Sequence, residues 1–287
     1  MAAECTIPII HGPTVAGTGL HLDPALAQRW LIAFLYEEIV RRRGMRSAVV
    51  GISGGVDSAV VAYLCSKALG PQSVLGVRMP YRTSSEQSFA HGGLVIRATG
   101  IRDLVVDISA AVDGYLKTEP DASPTRRGNV MARMRTTVLF DQSAKLNGLP
   151  VGTGNKSERL LGYFTWHADD SPPINPLGDL FKTQVWQLAR HLGVPKVIVD
   201  KPATADLIRG QTDEDDLGIS YEKADRILHQ LLTGYSLKDM LARGFDERDV
   251  HLVQQKVNAT HWKRHLPTTA VVSATAINEF YLRPVDY

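Results

Sequence analysis

Hydrophobic residues recur at three- and four-residue steps through Leu22, Leu26, Trp30, Leu31, Phe34, Leu35 and Ile39, which predicts a helix with one apolar face. Asp23 followed by Pro24 is a start signal and Gly44 a stop, with Arg41, Arg42 and Arg43 at the negative end of the helix dipole. From residue 47 the pattern changes. Residues 47–52 (SAVVGI) form a continuous β-branched apolar run that ends in SGGVDS, and AVVAYLCSKALG follows as a helix closed by Gly70-Pro71. Runs at 73–80 (SVLGVRMP), 103–109 (DLVVDIS) and 148–155 (GLPVGTGN) also read as strands, separated by the helical stretches EQSFAHGGLVIRATG and NVMARMRTTVLFDQSAKLNG. Strands that are apolar throughout, alternating with helices, predict an α/β fold: a doubly wound parallel sheet with helices on both faces. Residues 81–86, 117–128 and 200–216 are rich in Pro, Asp, Thr and Gly and read as loops long enough to act as lids. Two more helices, 220–232 and 246–259, precede a polar tail that opens with HWKRHLP.

Composition narrows the class without naming a chemistry. The 287 residues are 44% apolar and 22% charged, which excludes a disordered chain. No apolar run approaches the roughly 20 residues that span a bilayer, and the N-terminus MAAECTIPII lacks a basic segment before its apolar stretch, so a cytoplasmic protein is expected. A formal net charge of +2 predicts neither nucleic-acid nor membrane binding. Cys5 and Cys65 are the only cysteines, too few for a disulfide framework and wrongly spaced for zinc. Cys65, flanked by apolar residues, reads as a buried and inert thiol.

The chemistry concentrates where the first strand ends. In an open parallel sheet ligands bind outside the carboxyl ends of the strands, and Ser53-Gly54-Gly55-Val56-Asp57-Ser58 stands at such an end. Glycines let backbone N–H groups approach a phosphate, the following helix start carries positive partial charge, and Ser53 and Ser58 add hydroxyls. The loop is neither G-x-x-x-x-G-K-[ST] nor G-x-G-x-x-G. Asp57 would repel bare phosphate, so beside a phosphate cradle it suits a Mg²⁺ ligand. The same spacing also suits a plain strand-to-helix turn with a capping aspartate.

Strand, SGGVDS and helix together resemble the pyrophosphatase loop of enzymes that split ATP into AMP and pyrophosphate while adenylating a carbonyl oxygen. GNVMARMRT, VGTGNKSERLLGYFT, INPLGDLFKTQVWQLARHLGVP, PATADLIRGQTDEDDLGISYE and WKRHLP are similar, in order, to blocks of the NAD synthetase family. That likeness implies an adenine nucleotide alpha hydrolase-like fold over residues 20–267, between an N-terminal lead (1–19) and a C-terminal tail (268–287). It implies ATP contacts from Gly51, Ile52, Ser53, Gly54, Gly55, Val56, Asp57, Ser58, Thr153, Lys182 and Thr204, with Asp57 and Lys182 catalytic. Mg²⁺ would be held by Asp57 and Glu158, and deamido-NAD would meet Arg133, Trp166, Asp169, His261 and Lys263. Lys182 would offset charge gathering on pyrophosphate as it leaves. The implied protein is a homodimer, with the helix at 23–43 as a candidate interface.

One stretch departs from the family. Where the ammonia-dependent members carry a lysine after the GYFT block and a second aspartate further on, this chain has Trp166 and Pro173. Both family positions contact deamido-NAD; an aromatic ring at 166 suits stacking on a pyridine, and Asp169 or Asp170 suits the lost carboxylate. The amidase domain with a cysteine nucleophile that glutamine-using relatives add has no room before residue 20, so free ammonia is the expected nitrogen donor. Two other readings use the same loop: a tRNA-modifying or GMP-synthetase-like pyrophosphatase, and a non-catalytic nucleotide-binding module. Thiolation calls for paired cysteines and tRNA for a more basic surface.

Overall fold

A computed structural model describes residues 20–204, 212–265, 268–270 and 272. The lead at 1–19 and nearly all of the tail expected at 268–287 lie outside them. Helix α1 (Pro24–Tyr36) starts as its sequence signals: Asp23 accepts from the amides of Ala25 and Leu26, and Pro24 fills the first position. Its continuation, Glu37–Arg41, widens into a π turn, with Arg42 N–H donating to Glu37 O at 2.9 Å.

Four parallel strands follow among the described residues: β1 (Ser47–Gly51), β2 (Val74–Arg78), β3 (Arg102–Val105) and β4 (Gly148–Pro150), in the order β3-β2-β1-β4. The register aligns Val49 with Leu75 on one side and with Pro150 on the other. Because β1 feeds β2 on one side and neighbours β4 on the other, the direction of winding reverses between β1 and β4. That reversal opens a crevice beyond their carboxyl ends.

Helices α2 (Val56–Leu69), α3 (Glu86–Thr99), α4 (Ser109–Leu116) and α5 (Pro124–Leu146) connect these strands. After β4 come α6 (Lys156–Leu161), α7 (Lys182–Leu192), α8 (Lys196–Val199), α9 (Asp213–Leu217), α10 (Tyr221–Leu232), α11 (Leu237–Ala242) and α12 (Glu247–Thr260). The main core joins Val50, Val60 and Leu64 to Leu35, Val185 and Leu188; a second core gathers Leu161, Phe181, Tyr221, Leu228 and Val253 around α10 and α12.

Several expectations change at their edges. The strand expected over 103–109 stops at Val105, because Asp107 Oδ1 accepts from Ser109 N–H at 2.7 Å and opens α4. It is also not apolar throughout: β3 is an edge strand that alternates between half-buried and exposed positions. In the loop expected at 117–128, Ser123 caps and Pro124 begins α5, the same pairing that starts α1. In the loop expected at 200–216, Thr212 and Asp215 form a capping box that starts α9; residues 205–211 fall outside the described set. Strand β4 is shorter than expected, and Val151 makes only an isolated parallel bridge to Ile174. The tail opening at His261 is at first ordered as a 3-10 turn, His261–Arg264, docked on α6.

Candidate active site

The crevice is a cavity of about 330 Å³ at the ends of β1, β2 and β4. One wall is the loop after β1. Ser53 and Ser58 hydroxyls lie 3.0 Å apart, Ser53 Oγ accepts from Gly55 N–H at 3.2 Å, and Ser58 Oγ donates to Gly55 O at 3.1 Å, closing the loop on itself. Gly55 at the N-cap of α2 has no side chain, so the first-turn amides are uncapped beside the cavity. That arrangement suits an anion. Gly54 serves packing instead. It has φ +80°, and a Cβ there would lie 2.0 Å from Ser88 O, so only glycine lets α3 pack against the loop.

The opposite wall starts from the turn after β4. Asn155 caps α6: its Oδ1 accepts from Glu158 N–H at 3.0 Å, while Glu158 Oε2 accepts from Asn155 N–H at 3.1 Å. The Asn155 amide then donates to Asp57 Oδ1 at 2.9 Å, tying the two walls together. Lys182, the first residue of α7, has a side chain 3% exposed, and its ammonium donates to Asp57 Oδ2 at 2.5 Å and Glu158 Oε1 at 3.2 Å. Asp213, the first residue of α9, is buried nearby and accepts from the Tyr221 hydroxyl at 3.3 Å.

The charges around Lys182 do not balance. Burial works against its ammonium, but Asp57 and Glu158 beside it raise its pKa above the ordinary lysine value. Burial pushes Glu158 up to about 8, Lys182 opposes that rise, and Asp57 adds to it. Asp213 is raised by burial as well. Asp57, Glu158 and Asp213 thus crowd three acidic groups around one buried lysine, which favours a proton on Glu158 and would equally favour a divalent cation in its place. Among the described residues no three His, Cys, Asp or Glu side chains converge in coordinating geometry. A cation held by Asp57 and Glu158 would complete its shell with phosphate and water oxygens, as Mg²⁺ commonly does.

Gly51, Ile52, Ser53, Gly55, Val56, Asp57, Ser58, Thr153, Glu158, Asp169, Lys182 and Thr204 all line this cavity. Arg133, Trp166, His261 and Lys263 are not among its lining residues. Arg133 is exposed and donates to Trp166 O at 3.0 Å. The Trp166 ring lies 3.9 Å from the His167 ring and meets Trp262 edge-on at 5.2 Å. Lys263 donates to Gly162 O at 2.6 Å and Phe164 O at 2.5 Å, so it braces the cavity wall from behind, and His261 ends α12 facing solvent. Cys65 is fully buried in α2, and burial pushes its thiol up to about 12.

Reading the chain alone missed Asn155, Asp213 and Lys201 as residues of the cavity wall. Asn155 did carry a signal, Asn followed three residues later by Glu. Arg135 reaches the cavity by donating to Met79 O at 3.2 Å across the sheet, and Lys201 by donating to Ser88 Oγ at 2.8 Å; no local pattern encodes either contact.

A glycine loop at the winding reversal of a parallel sheet, facing paired carboxylates and a buried lysine, defines an α/β nucleotide-binding enzyme of the adenine nucleotide alpha hydrolase type. Within that class the chain belongs to the NAD synthase family, whose model matches residues 29–267. It is 46% identical over 269 residues to an NH(3)-dependent NAD(+) synthetase of Trichlorobacter lovleyi, covering 93% of this chain and 98% of that protein. Among solved structures it resembles an NH3-dependent NAD synthetase from Campylobacter jejuni, with TM-score 0.74 and 28% identity over 87% of this chain and 100% of that one. It also resembles an NMN synthetase from Francisella tularensis, with TM-score 0.78 and 29% identity over 87% of this chain and 99% of that one.

Proposed function

We propose that this protein is a ligase that forms the amide of NAD from deamido-NAD and free ammonia, converting ATP to AMP and pyrophosphate. The observation that carries this reading is the cluster of half-buried Asp57 and Glu158 around buried Lys182, facing the uncapped start of α2. A pyridine carboxylate is a poor acyl donor, so the reaction runs in two steps. A carboxylate oxygen attacks the α-phosphorus of ATP and pyrophosphate leaves; ammonia then attacks the acyl carbon, AMP leaves, and the nitrogen sheds a proton. No protein nucleophile is required.

Each group of residues has a part in this reading. Gly51, Ile52, Ser53, Gly55, Val56, Ser58, Thr153 and Thr204 receive ATP, and Gly54 keeps the loop seated against α3. Lys182 holds its proton in the folded protein and meets the charge developing on pyrophosphate. Mg²⁺ held by Asp57 and Glu158 would add positive charge at the same phosphates. Arg133, Trp166, Asp169, His261 and Lys263 belong to the deamido-NAD end, where the exposed Trp262 ring, packed edge-on with Trp166, suits contact with a ring. The protein acts as a cytoplasmic homodimer. Leu26 at 54% and Trp30 at 74% exposure give α1 an apolar face that suits that contact.

A second acceptor deserves a direct comparison, because Trp166 and Pro173 depart from the family pattern and one structural neighbour is an NMN synthetase. Protein is mixed with Mg²⁺-ATP, ammonium or glutamine, and either deamido-NAD or the deamidated mononucleotide, and the amide product and AMP are followed together. Equal amounts of NAD and AMP with ammonium are expected. Turnover on the mononucleotide alone would move the acceptor, AMP formed without either would move the chemistry to another carbonyl, and no AMP at all would reduce the site to nucleotide binding.

A further inference from the structure

Helix α7 begins with only half a capping box: Gln184 Oε1 accepts from Phe181 N–H at 2.9 Å, but the next two amides have no acceptor within the helix. The residue before it is Phe181, whose side chain cannot accept a hydrogen bond, yet the first amides of a helix need acceptors. Both are supplied from elsewhere in the chain. Lys182 N–H donates to Ser157 Oγ of α6 at 2.9 Å, and Thr183 N–H donates to Asp225 Oδ2 of α10 at 2.9 Å. The Thr183 hydroxyl donates to the same oxygen at 2.8 Å, and the Ser157 hydroxyl donates to Asp225 Oδ1.

Asp225 is fully buried, and it is not among the residues that line the cavity. It accepts three donors, which a carboxylate does readily and an amide of the same shape cannot do while also offering its NH₂ group a partner. A negative charge at the start of α7 is also favourable to that helix. What makes the contact informative is which residues it joins. Ser157 immediately precedes Glu158, and Thr183 immediately follows Lys182. Asp225 therefore fixes the starts of α6 and α7 relative to each other, and with them the 3.2 Å approach of Lys182 Nζ to Glu158 Oε1.

We propose that Asp225, acting through Ser157 and Thr183, is a positioning residue for Lys182 and Glu158, so that the packing of α10 sets the geometry of the ATP-cleaving pair. This rests on the ligase reading above. Misplacement of a reacting group by about 1 Å costs about 100-fold in rate, so Asp225→Asn should lower kcat for AMP formation about 10- to 100-fold. The KM for deamido-NAD should stay within about twofold, because no contact to that substrate is lost.

A double-mutant cycle with Lys182→Ala separates positioning from general support of the fold. If Asp225 acts by setting the contact of Lys182 with Glu158, then in the Lys182→Ala background, where that contact is already gone, Asp225→Asn should cost less than about threefold in kcat. Equal losses in both backgrounds, or an unchanged kcat in the single variant, would overturn the proposal. Calorimetric titration with ATP, which requires no acceptor, repeats the cycle on affinity. A wild type that binds ATP but forms no AMP with either acceptor would sink the ligase reading and still leave the coupling of Asp225 to Lys182 measurable. Should Asp225→Asn not fold, Ser157→Ala removes one arm of the contact and carries the same expectation of non-additivity.

Discussion

Two adjacent glycines in the loop after β1 should respond oppositely to the same substitution. At Gly54 an added methyl meets two costs. The backbone sits at φ +80°, where an L side chain costs about 1–2 kcal/mol. The new Cβ would also stand 2.0 Å from Ser88 O and 2.8 Å from its carbonyl carbon. Those are backbone atoms in the first turn of α3, pinned by the Ser85 cap, so they cannot rotate away as a side chain would. Forced repacking costs about 1–3 kcal/mol, which brings Gly54→Ala to roughly 2–5 kcal/mol and a melting midpoint lowered by roughly 5–15 °C.

Gly55 differs in both respects. Its φ of −92° and ψ of 167° are open to any residue, and a Cβ there meets only Ser53 Oγ at 3.4 Å. Gly55→Ala should therefore stay within about 1 kcal/mol of the parent. Gly55 nonetheless lines the cavity, so its methyl should weaken ATP binding. Urea unfolding and ATP titration on both variants give the comparison. Equal stability losses at the two positions would refute the reasoning, because they would mean that neither the left-handed backbone nor the approach of α3 decides the cost.

Asn155→Ala should remove the α6 cap together with the amide bonded to Asp57, destabilising the fold by about 2–4 kcal/mol and lowering ATP cleavage; Asn155→Asp, which restores the cap but brings a charge against Asp57, should regain stability without regaining activity. His91 gives a pH test. Burial, and next the charge of Lys201, hold its pKa below the ordinary 6.5, so the unfolded chain binds that proton more readily than the folded one. Its contribution is intact above the unfolded value and is lost as the pH falls through the folded one. Wild type should lose more unfolding free energy than His91→Gln between about pH 7.5 and about pH 5.5, and parallel losses would rule His91 out as a source.

What the chain alone determined was local. Periodicity placed α1, α3, α10 and α12, because a buried face repeats every three or four residues whatever lies opposite it, while α2, apolar nearly all round, was placed by the turn before it and its Gly70-Pro71 stop. The β-branched runs placed β1 and β2, and SGGVDS marked an abrupt glycine turn from strand to helix, a spacing that suits a phosphate cradle or a capped turn alike. The strand order could not be read in the same way. Which strand lies beside β1 depends on how helices pack across the sheet, and the placement of β4 next to β1 is what opens the crevice.

Tertiary structure also decided which polar residues matter. Asp225 sits in an amphipathic helix like any surface aspartate, and only the docking of α10 beneath α7 turns it into a buried acceptor for Ser157 and Thr183. Lys182 is one of many lysines until folding removes its solvent and leaves Asp57 and Glu158 as its partners. A sequence records the order of such groups along a line. Desolvation and contact between distant groups set their energies, and both exist only once the chain has folded.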